Sequence, residues 1–300
     1  MPMNSINTNV GAMIALESLT STQQQLALTQ NRINTGLKIA SAKDNGAIWA
    51  IAQTEQAQAS SLDTVTNSLN NGKSVLDTTI QAGSQLTSIL NQMRQKALAA
   101  SDAGIDNASR TQYQNEYTKL AQSYANVIAS ASFNGVNLVD NSTGAVSAIG
   151  SADGTIKVTS AHNKLNAATV FSTDTSLTLT AGTVTAPATT ATVDTVAAGT
   201  TWADGTGAQA ASALAVIDKA IKSVTSGLSS FGVDSKAIDN QITLVAQLQD
   251  SLKTGIGNLV DANLAQESAN LQALQTKQQL GVQALSIANQ SSGILLGLFR

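Results

Sequence analysis

The chain has 300 residues, a formal net charge of −3, no cysteine and one histidine. Charged residues make up 12% of it, about half the usual share. The missing cysteine excludes disulfides and thiolate sites, and the single His162 excludes an HExxH zinc site and a Ser-His-Asp triad. We therefore predict that the protein is not an enzyme and holds no cofactor or metal.

Lysines and arginines are not clustered, so nucleic-acid binding is not expected. The first positive side chain is Arg32, which argues against a conventional signal peptide. The longest apolar run, at 293–299, is much shorter than the roughly 20 residues of a membrane helix, and we expect no membrane insertion.

The first of three sequence blocks, residues 1–142, has helical periodicity. Apolar or small residues alternate by three and four in its middle, which predicts a long coiled-coil helix: Leu62, Val65, Leu69, Gly72, Leu76, Thr79, Gly83, Leu86, Leu90, Met93 and Ala97. A turn is predicted at 102–104. A second helix is then expected, with the stripe Tyr113, Tyr117, Leu120, Tyr124, Val127 and Ala131. Asn134 and Gly135 are interpreted as its C-cap.

The second block, residues 143–206, is rich in Thr, Ala, Gly and Ser and changes its period to two. This alternation predicts a strand at 155–159 and a hairpin formed by 176–180 and 183–185. Turns are expected at Asp153-Gly154 and Asp204-Gly205.

The third block, residues 207–300, is again helical. Its stripe contains one polar position, Gln249, and its phase slips by one residue past Asn263, which we interpret as a junction between two coiled-coil segments. The predicted fold class is mainly α, a long antiparallel helical coiled-coil bundle built from both chain ends, with a small β-rich inserted domain. The stripe residues are Leu214, Ile217, Ile221, Val224, Leu228, Phe231, Ile238, Ile242, Val245, Leu252, Ile256 and Leu259.

Short apolar stripes also mark the two chain ends, on helices that need a partner because isolated helices are marginal in water. We predict that these stripes form an assembly interface. They consist of Leu19, Leu26 and Ile33 at one end and Leu264, Leu271 and Leu285 at the other.

Several ordered motifs resemble the bacterial flagellins, most of all those of alphaproteobacteria. They are RINTGLKI at 32–39, SAKDNGA at 41–47, LVDANLAQES at 259–268, QTKQQLGVQAL at 275–285 and FNG at 133–135. The resemblance implies an extracellular subunit that polymerises into the flagellar filament and serves swimming motility. The implied partners are other copies of the chain, the flagellar type III export apparatus, an export chaperone, and the filament cap and hook-junction proteins.

The resemblance also implies three domains. Residues 1–43 with 258–300 would form a terminal inner coiled coil, 44–142 with 207–257 a rod-like helical domain, and 143–206 a variable surface insert. The domain connector would be Ser41, Ala42, Lys43, Asp44 and Asn45.

A region contacted by immune receptors in related proteins includes Gln92, Arg94, Lys96 and Glu116. In flagellins that animal Toll-like receptors detect, an Arg stands at the position of Gln92 and a Leu at that of Lys96. Losing the Arg removes a multidentate donor, and the Lys introduces a hydrated charge. We therefore expect weak or absent receptor activation.

Three other functions share parts of this pattern. A hook–filament junction protein has similar ends, although the C-terminal sequence from 288 to 300 matches flagellin better. The chain could also be a flagellin-like surface adhesin, and the insert would determine whether it has this binding function. A chemoreceptor signalling rod has comparable heptads, but usually with membrane spans and a tight helical tip in place of a β-rich insert.

Overall fold

The computed structural model describes residues 9–140, 145–160, 202 and 207–298, with side chains described up to residue 290. The helices in these ranges are α1 (Val10–Thr35), α2 (Gly46–Ala100), α3 (Asn107–Ser130), α4 (Ala208–Val260) and α5 (Leu264–Leu298). The strands are β1 (Val146–Ile149) and β2 (Lys157–Ser160). The mainly α fold class with a small β element is confirmed.

The chain divides into two compact units, each described by itself below. Unit 1 comprises residues 1–59 and 249–300, and unit 2 comprises residues 60–248. The three-domain division that the resemblance implies stays a prediction.

The predicted stripe on α2 forms the core of unit 2, since every one of its members is buried. Leu69, Leu76 and Leu86 are completely inaccessible, and each such leucine contributes about 1.5–3 kcal/mol through burial. The stripe on α4 is buried at five members and half-buried at the others, and α3 buries Tyr117, Tyr124 and Ile128. The fully or nearly fully buried α4 members are Ile217, Val224, Phe231, Ile238 and Val245.

Close approach at Gly72 lets the small sheet pack onto the helices. A Cβ at this position would lie 3.1 Å from the Ala148 Cβ and 3.5 Å from the Ile238 Cδ1. Gln241 Nε2 on α4 donates a hydrogen bond of 2.6 Å to the Gly150 carbonyl. The hairpin formed by β1 and β2 therefore contacts both α2 and α4.

The strand predicted at 155–159 is found at Lys157–Ser160, paired antiparallel with β1, which the alternation did not predict. The turn at Asp153-Gly154 is confirmed, with a φ of 71° at Gly154. The predicted hairpin strands at 176–185, the turn at Asp204-Gly205 and His162 lie outside the described residues.

Asn134 and Gly135 do not cap α3, so that prediction is wrong. The helix ends at Ser130, and the two residues have φ values of 49° and 77°. Positive φ at both central positions defines a type I′ turn, closed by reciprocal hydrogen bonds of 2.9 Å between Phe133 and Val136. The end of α3 is instead capped by Asn137, whose Nδ2 donates to the Ile128 carbonyl at 2.7 Å.

Trp202 anchors the return from the insert to the helices of unit 2. It is completely buried, and its ring centroid lies 5.0 Å from that of Tyr117 on α3. Its backbone N–H donates to Gln114 Oε1 at 3.0 Å. Sequence reasoning missed this contact because Trp202 stands in a polar segment without periodicity.

Arg110 holds together the end of α2, the turn predicted at 102–104 and the start of α3. Its guanidinium is fully buried and donates hydrogen bonds to the carbonyls of Ala100 (2.7 Å), Asp102 (3.2 Å) and Ile105 (3.3 Å). The Ala100 carbonyl ends α2 and carries partial negative charge that stabilises the cation. A Cβ at Gly207 would come within 2.6 Å of Arg110 Nη1. The position of the Arg110 guanidinium therefore also requires a glycine just before α4 begins.

We predict that Arg110→Met destabilises unit 2 by about 3 kcal/mol, because the buried Ala100 carbonyl and two partly buried carbonyls lose their donor. Urea unfolding followed by Trp202 fluorescence, in a Trp49→Phe background, measures this loss. Arg94→Met is the matched control, since its ion pair with Asp218 is about half exposed on both sides and should contribute less than about 1 kcal/mol. Equal effects of the two substitutions would contradict the proposed role of Arg110.

Candidate assembly surface on the paired terminal helices

Helices α1 and α5 pair in antiparallel fashion within unit 1. Asn9 Nδ2 donates to the Ala288 carbonyl at 2.8 Å near one end of the pair, and Arg32 Nη1 lies 3.2 Å from Glu267 Oε1 near the other. Gly281 permits close packing between them, since a Cβ there would lie 3.4 Å from Leu19 Cδ1. The two chain ends thus meet each other, as the sequence symmetry suggests.

The six predicted assembly residues have two different environments in this pair. Leu264 is 49% exposed. The other five are half-buried, namely Leu19, Leu26, Ile33, Leu271 and Leu285. Leu19, Leu26 and Ile33 share one face of α1 with the buried Thr22 and Thr29. This face packs against α5 of the same chain, and we call the contact between the two helices the seam. Their role in contacts between copies stays a prediction.

The most exposed apolar side chains of the pair lie on the sides of the two helices that are turned away from the seam, and sequence reasoning missed them. On α1 these are Val10 (55% exposed), Met13 (61%) and Ile14 (62%), and on α5 they are Leu280 (59%) and Ile287 (68%). The sequence did contain a signal for a second stripe: Leu280 and Ile287 are seven residues apart, and Val10, Met13 and Ile14 have helical spacing. Exposed apolar side chains on both helices mark a candidate interaction surface, and we call these five residues together the outer apolar face.

No large apolar side chain described in the seam between α1 and α5 is fully buried, since its leucines and its isoleucine are half-buried. Thr22, Thr29 and Glu267 are its buried polar members, and the Thr22 hydroxyl returns its hydrogen bond to its own helix at the Ser18 carbonyl. Such a seam buries little apolar surface, so the helix pair gains little stability from its own packing.

A small hub links the ends of four helices inside unit 1. The Val260 carbonyl accepts hydrogen bonds from Lys38 N (2.6 Å) and Ile39 N (3.3 Å), and the Ala262 N–H donates to the Gly36 carbonyl (2.9 Å). Ile39, Val260 and Ala52 are buried together with Trp49 packed against them. The predicted phase slip is confirmed as a helix break after Val260.

The predicted connector, residues 41–45, forms a turn that leads into α2. The Asp44 carboxylate accepts hydrogen bonds from Ser41 N (2.9 Å), Ser41 Oγ (3.0 Å) and Ala40 N (3.1 Å). These bonds, first that from the Ser41 hydroxyl, hold the pKa of Asp44 below its ordinary value. Asn45 Oδ1 accepts from the N–H groups of Ala47 and Ile48, both at 3.2 Å, and so caps α2. Ala42 and Lys43 are exposed within the turn.

The predicted immune-receptor residues lie on α2 and α3 in unit 2. Arg94 Nε pairs with Asp218 Oδ1 at 2.6 Å, and Lys96 Nζ pairs with Glu116 Oε2 at 2.7 Å. The hydrogen bond from Lys96 lowers the pKa of Glu116 and raises that of Lys96. Gln92 is exposed. Weak receptor activation stays a prediction, which a reporter-cell assay beside an enteric flagellin would test.

Within the described ranges, no three His, Cys, Asp or Glu side chains gather into a possible metal site. No helix there is long and apolar enough to cross a membrane. Paired long helices with an exposed apolar face define a coiled-coil protein with the means to associate with other chains.

Comparison with known proteins identifies the family to which this chain is similar. Residues 6–144 match the model for the bacterial flagellin N-terminal helical region, and residues 214–299 match that for the C-terminal helical region. Flagellin FljK of Caulobacter vibrioides is 45% identical over the whole of both chains. Flagellin C of Rhizobium meliloti and a flagellin of Brucella melitensis are each 33% identical, over 99% of this chain and all of theirs.

The chain belongs to the bacterial flagellin family. It is a structural subunit of the extracellular flagellar filament and polymerises with copies of itself. The resemblance seen in the sequence motifs is confirmed. The matches favour a filament subunit over a junction protein or an adhesin.

We predict that the contribution of Asp44 to the stability of unit 1 depends on pH. Because its folded-state pKa is lowered, this stability is fully present above the ordinary value of 3.8 and is lost as the pH falls from there through the lowered pKa. Thermal unfolding of the parent and of Asp44→Asn, followed by Trp49 fluorescence, measures it. The parent should melt higher at neutral pH, and the two melting temperatures should converge in acid. A difference that persists at low pH would contradict the prediction.

Proposed function

We propose that the outer apolar face of α1 and α5 is the surface through which copies of the chain contact each other in the filament. The exposure of Ile287 and Ile14, on helices whose fully buried seam members are polar, is the observation that supports this proposal. A neighbouring copy would remove this surface from water, at about 25 cal/mol for each Å² buried. Each contact would recur at every subunit, so a small gain per contact stabilises the whole polymer.

The two units would then have different roles. Unit 2 has an apolar core on α2 and would fold in the free subunit, whereas unit 1, with Thr22, Thr29 and Glu267 in its seam, would become fully stable on assembly. The terminal inner coiled coil proposed for 1–43 and 258–300 lies within unit 1. The connector turn at 41–45 would join it to the rod-like domain proposed for 44–142 and 207–257.

We predict that Ile287→Asp raises the critical concentration for polymerisation at least about tenfold, the change that corresponds to some 1.4 kcal/mol. The charge would have to be desolvated against the neighbouring copy. Turbidity and electron microscopy measure polymerisation, and Trp49 and Trp202 fluorescence report the folding of each unit.

The control Ile287→Leu keeps the apolar area and should polymerise normally. Leu271→Asp is the contrasting variant, because this half-buried residue lies in the seam within one chain, and it should also lower the melting temperature of unit 1. Unchanged polymerisation of Ile287→Asp would overturn the proposed surface, and a loss of the Trp202 melt would overturn the division between the units.

The partners of this subunit before assembly would be the flagellar type III export apparatus and an export chaperone, and at the filament ends the cap and hook-junction proteins. Membership in the family supports these partners, and helices of marginal stability suit export as an unfolded chain. A reporter fused to residues 4–36 should be secreted by a motile strain. Secretion that persists in a strain without the flagellar export gate would contradict this route.

A further inference from the structure

Arg32 and Glu267 form an ion pair inside a seam that has almost no other charge. Helix α1 carries just Glu17 and Arg32, and helix α5 just Glu267 and Lys277. Glu267 is 8% exposed, whereas Glu17 and Lys277 point to solvent. One charged pair, partly buried with 28% of the Arg32 side chain and 11% of the Glu267 side chain exposed, therefore lies between the two helices, close to the hub.

This pair is poorly suited to stabilising the subunit. The bond from Arg32 Nη1 to Glu267 Oε1 is 3.2 Å long, and Arg32 Nε and Glu267 Oε2 are buried without a hydrogen-bond partner among the described residues. Desolvating two charges with so few hydrogen bonds costs as much as their attraction returns, and apolar residues of similar volume are often at least as stable there. The pair is therefore expected to contribute little net stability.

The orientation of the pair indicates what it contributes. Arg32 lies in the last turn of α1 and Glu267 in the first turn of α5, so each charge is favoured by its own helix dipole. The two turns lie side by side because α1 and α5 run antiparallel from the hub. The charges thus complement each other in the α1–α5 pair, and in no pairing of like helices.

The remaining seam residues do not distinguish α1 from α5. Both helices present leucines and small or hydroxyl side chains to the seam, such as Leu19 and Thr22 on one and Leu271 and Gly281 on the other. Identical chains bring many copies of each helix together when they polymerise. Pairing of two α1 or two α5 helices from different copies is then the competing outcome.

We propose that the Arg32–Glu267 pair determines the specificity of the terminal coiled coil, so that α1 pairs with α5 and not with the α1 of a second copy. A pair of α1 helices would bury Arg32 without a carboxylate, and a pair of α5 helices would bury Glu267 without a cation. A single polar position is known to select partners in coiled coils at a cost in stability. This inference rests on the assembly role proposed above for the terminal helices.

Disulfide trapping tests the inference directly, because the chain has no cysteine of its own. Leu19→Cys places one thiol against Gly281 of α5, where a correctly formed pair shields it. Two such thiols join only when their Cα atoms approach within about 7 Å, as they would between two paired α1 helices. Full-length Leu19→Cys protein should give few cross-linked dimers on a non-reducing gel.

Adding Arg32→Leu and Glu267→Leu to this protein should raise the dimer yield about tenfold while the Trp49 melt of unit 1 stays at or above that of the parent. The control is Glu17→Leu with Lys277→Leu, which removes the same charges and adds the same apolar groups on the exposed sides of the same helices. Its dimer yield should match that of the parent.

Three results would overturn the inference. They are equal dimer yields in the parent and the Arg32→Leu/Glu267→Leu protein, an equal rise in the control, and a lowered Trp49 melt, which would show that the pair acts through stability. Filament formation by the cysteine-free parent is measured separately. Its failure would count against the proposed assembly surface, whereas the cross-linking result would still decide helix specificity.

Discussion

The apolar stripe along α2 is the interaction on which the rest of unit 2 depends. Leu69, Leu76 and Leu86 exclude water along one face of a very long helix, and α3 and α4 lie alongside that helix through the ion pairs Lys96–Glu116 and Arg94–Asp218. The small sheet packs against α2 at Gly72, and Trp202 packs against Tyr117 of α3. Burial of large apolar side chains is therefore the main stabilising interaction of unit 2.

Unit 1 follows the same helical geometry with weaker packing. Its fully buried seam members are threonines and a glutamate, its leucines are half-buried, and Met13, Ile14 and Ile287 are exposed. In the assembly proposed above, neighbouring copies would supply further burial. This asymmetry suits a protein that must be a soluble single chain at one stage and part of a polymer at another.

The hub makes the two terminal helices depend on the backbone near the connector. The Val260 carbonyl and the Gly36 carbonyl each accept hydrogen bonds across the hub, which sets the register of α1 against α5 at their junction. Arg32 and Glu267 lie within two helical turns of it. Register is thus a property of the hub, and the identity of the partner helix would be a property of the charged pair.

Periodicity in the sequence determined the long helices, the break near Asn263 and the buried face of α2, because spacing by three and four residues defines a helix face whatever it packs against. The motifs from 32 to 47 and from 259 to 285 were sufficient for the family. Asn134-Gly135 shows the limit of local rules, since the same two residues suit a helix cap or a type I′ turn, and hydrogen bonding between Phe133 and Val136 decided between them. Tertiary structure alone decided the roles of Arg110, Trp202 and the outer apolar face. Trp202 contacts Gln114, 88 residues earlier in the chain, and Arg110 reaches three carbonyls that converge only in the folded turn after α2. The exposure of a side chain depends on which neighbours reach it.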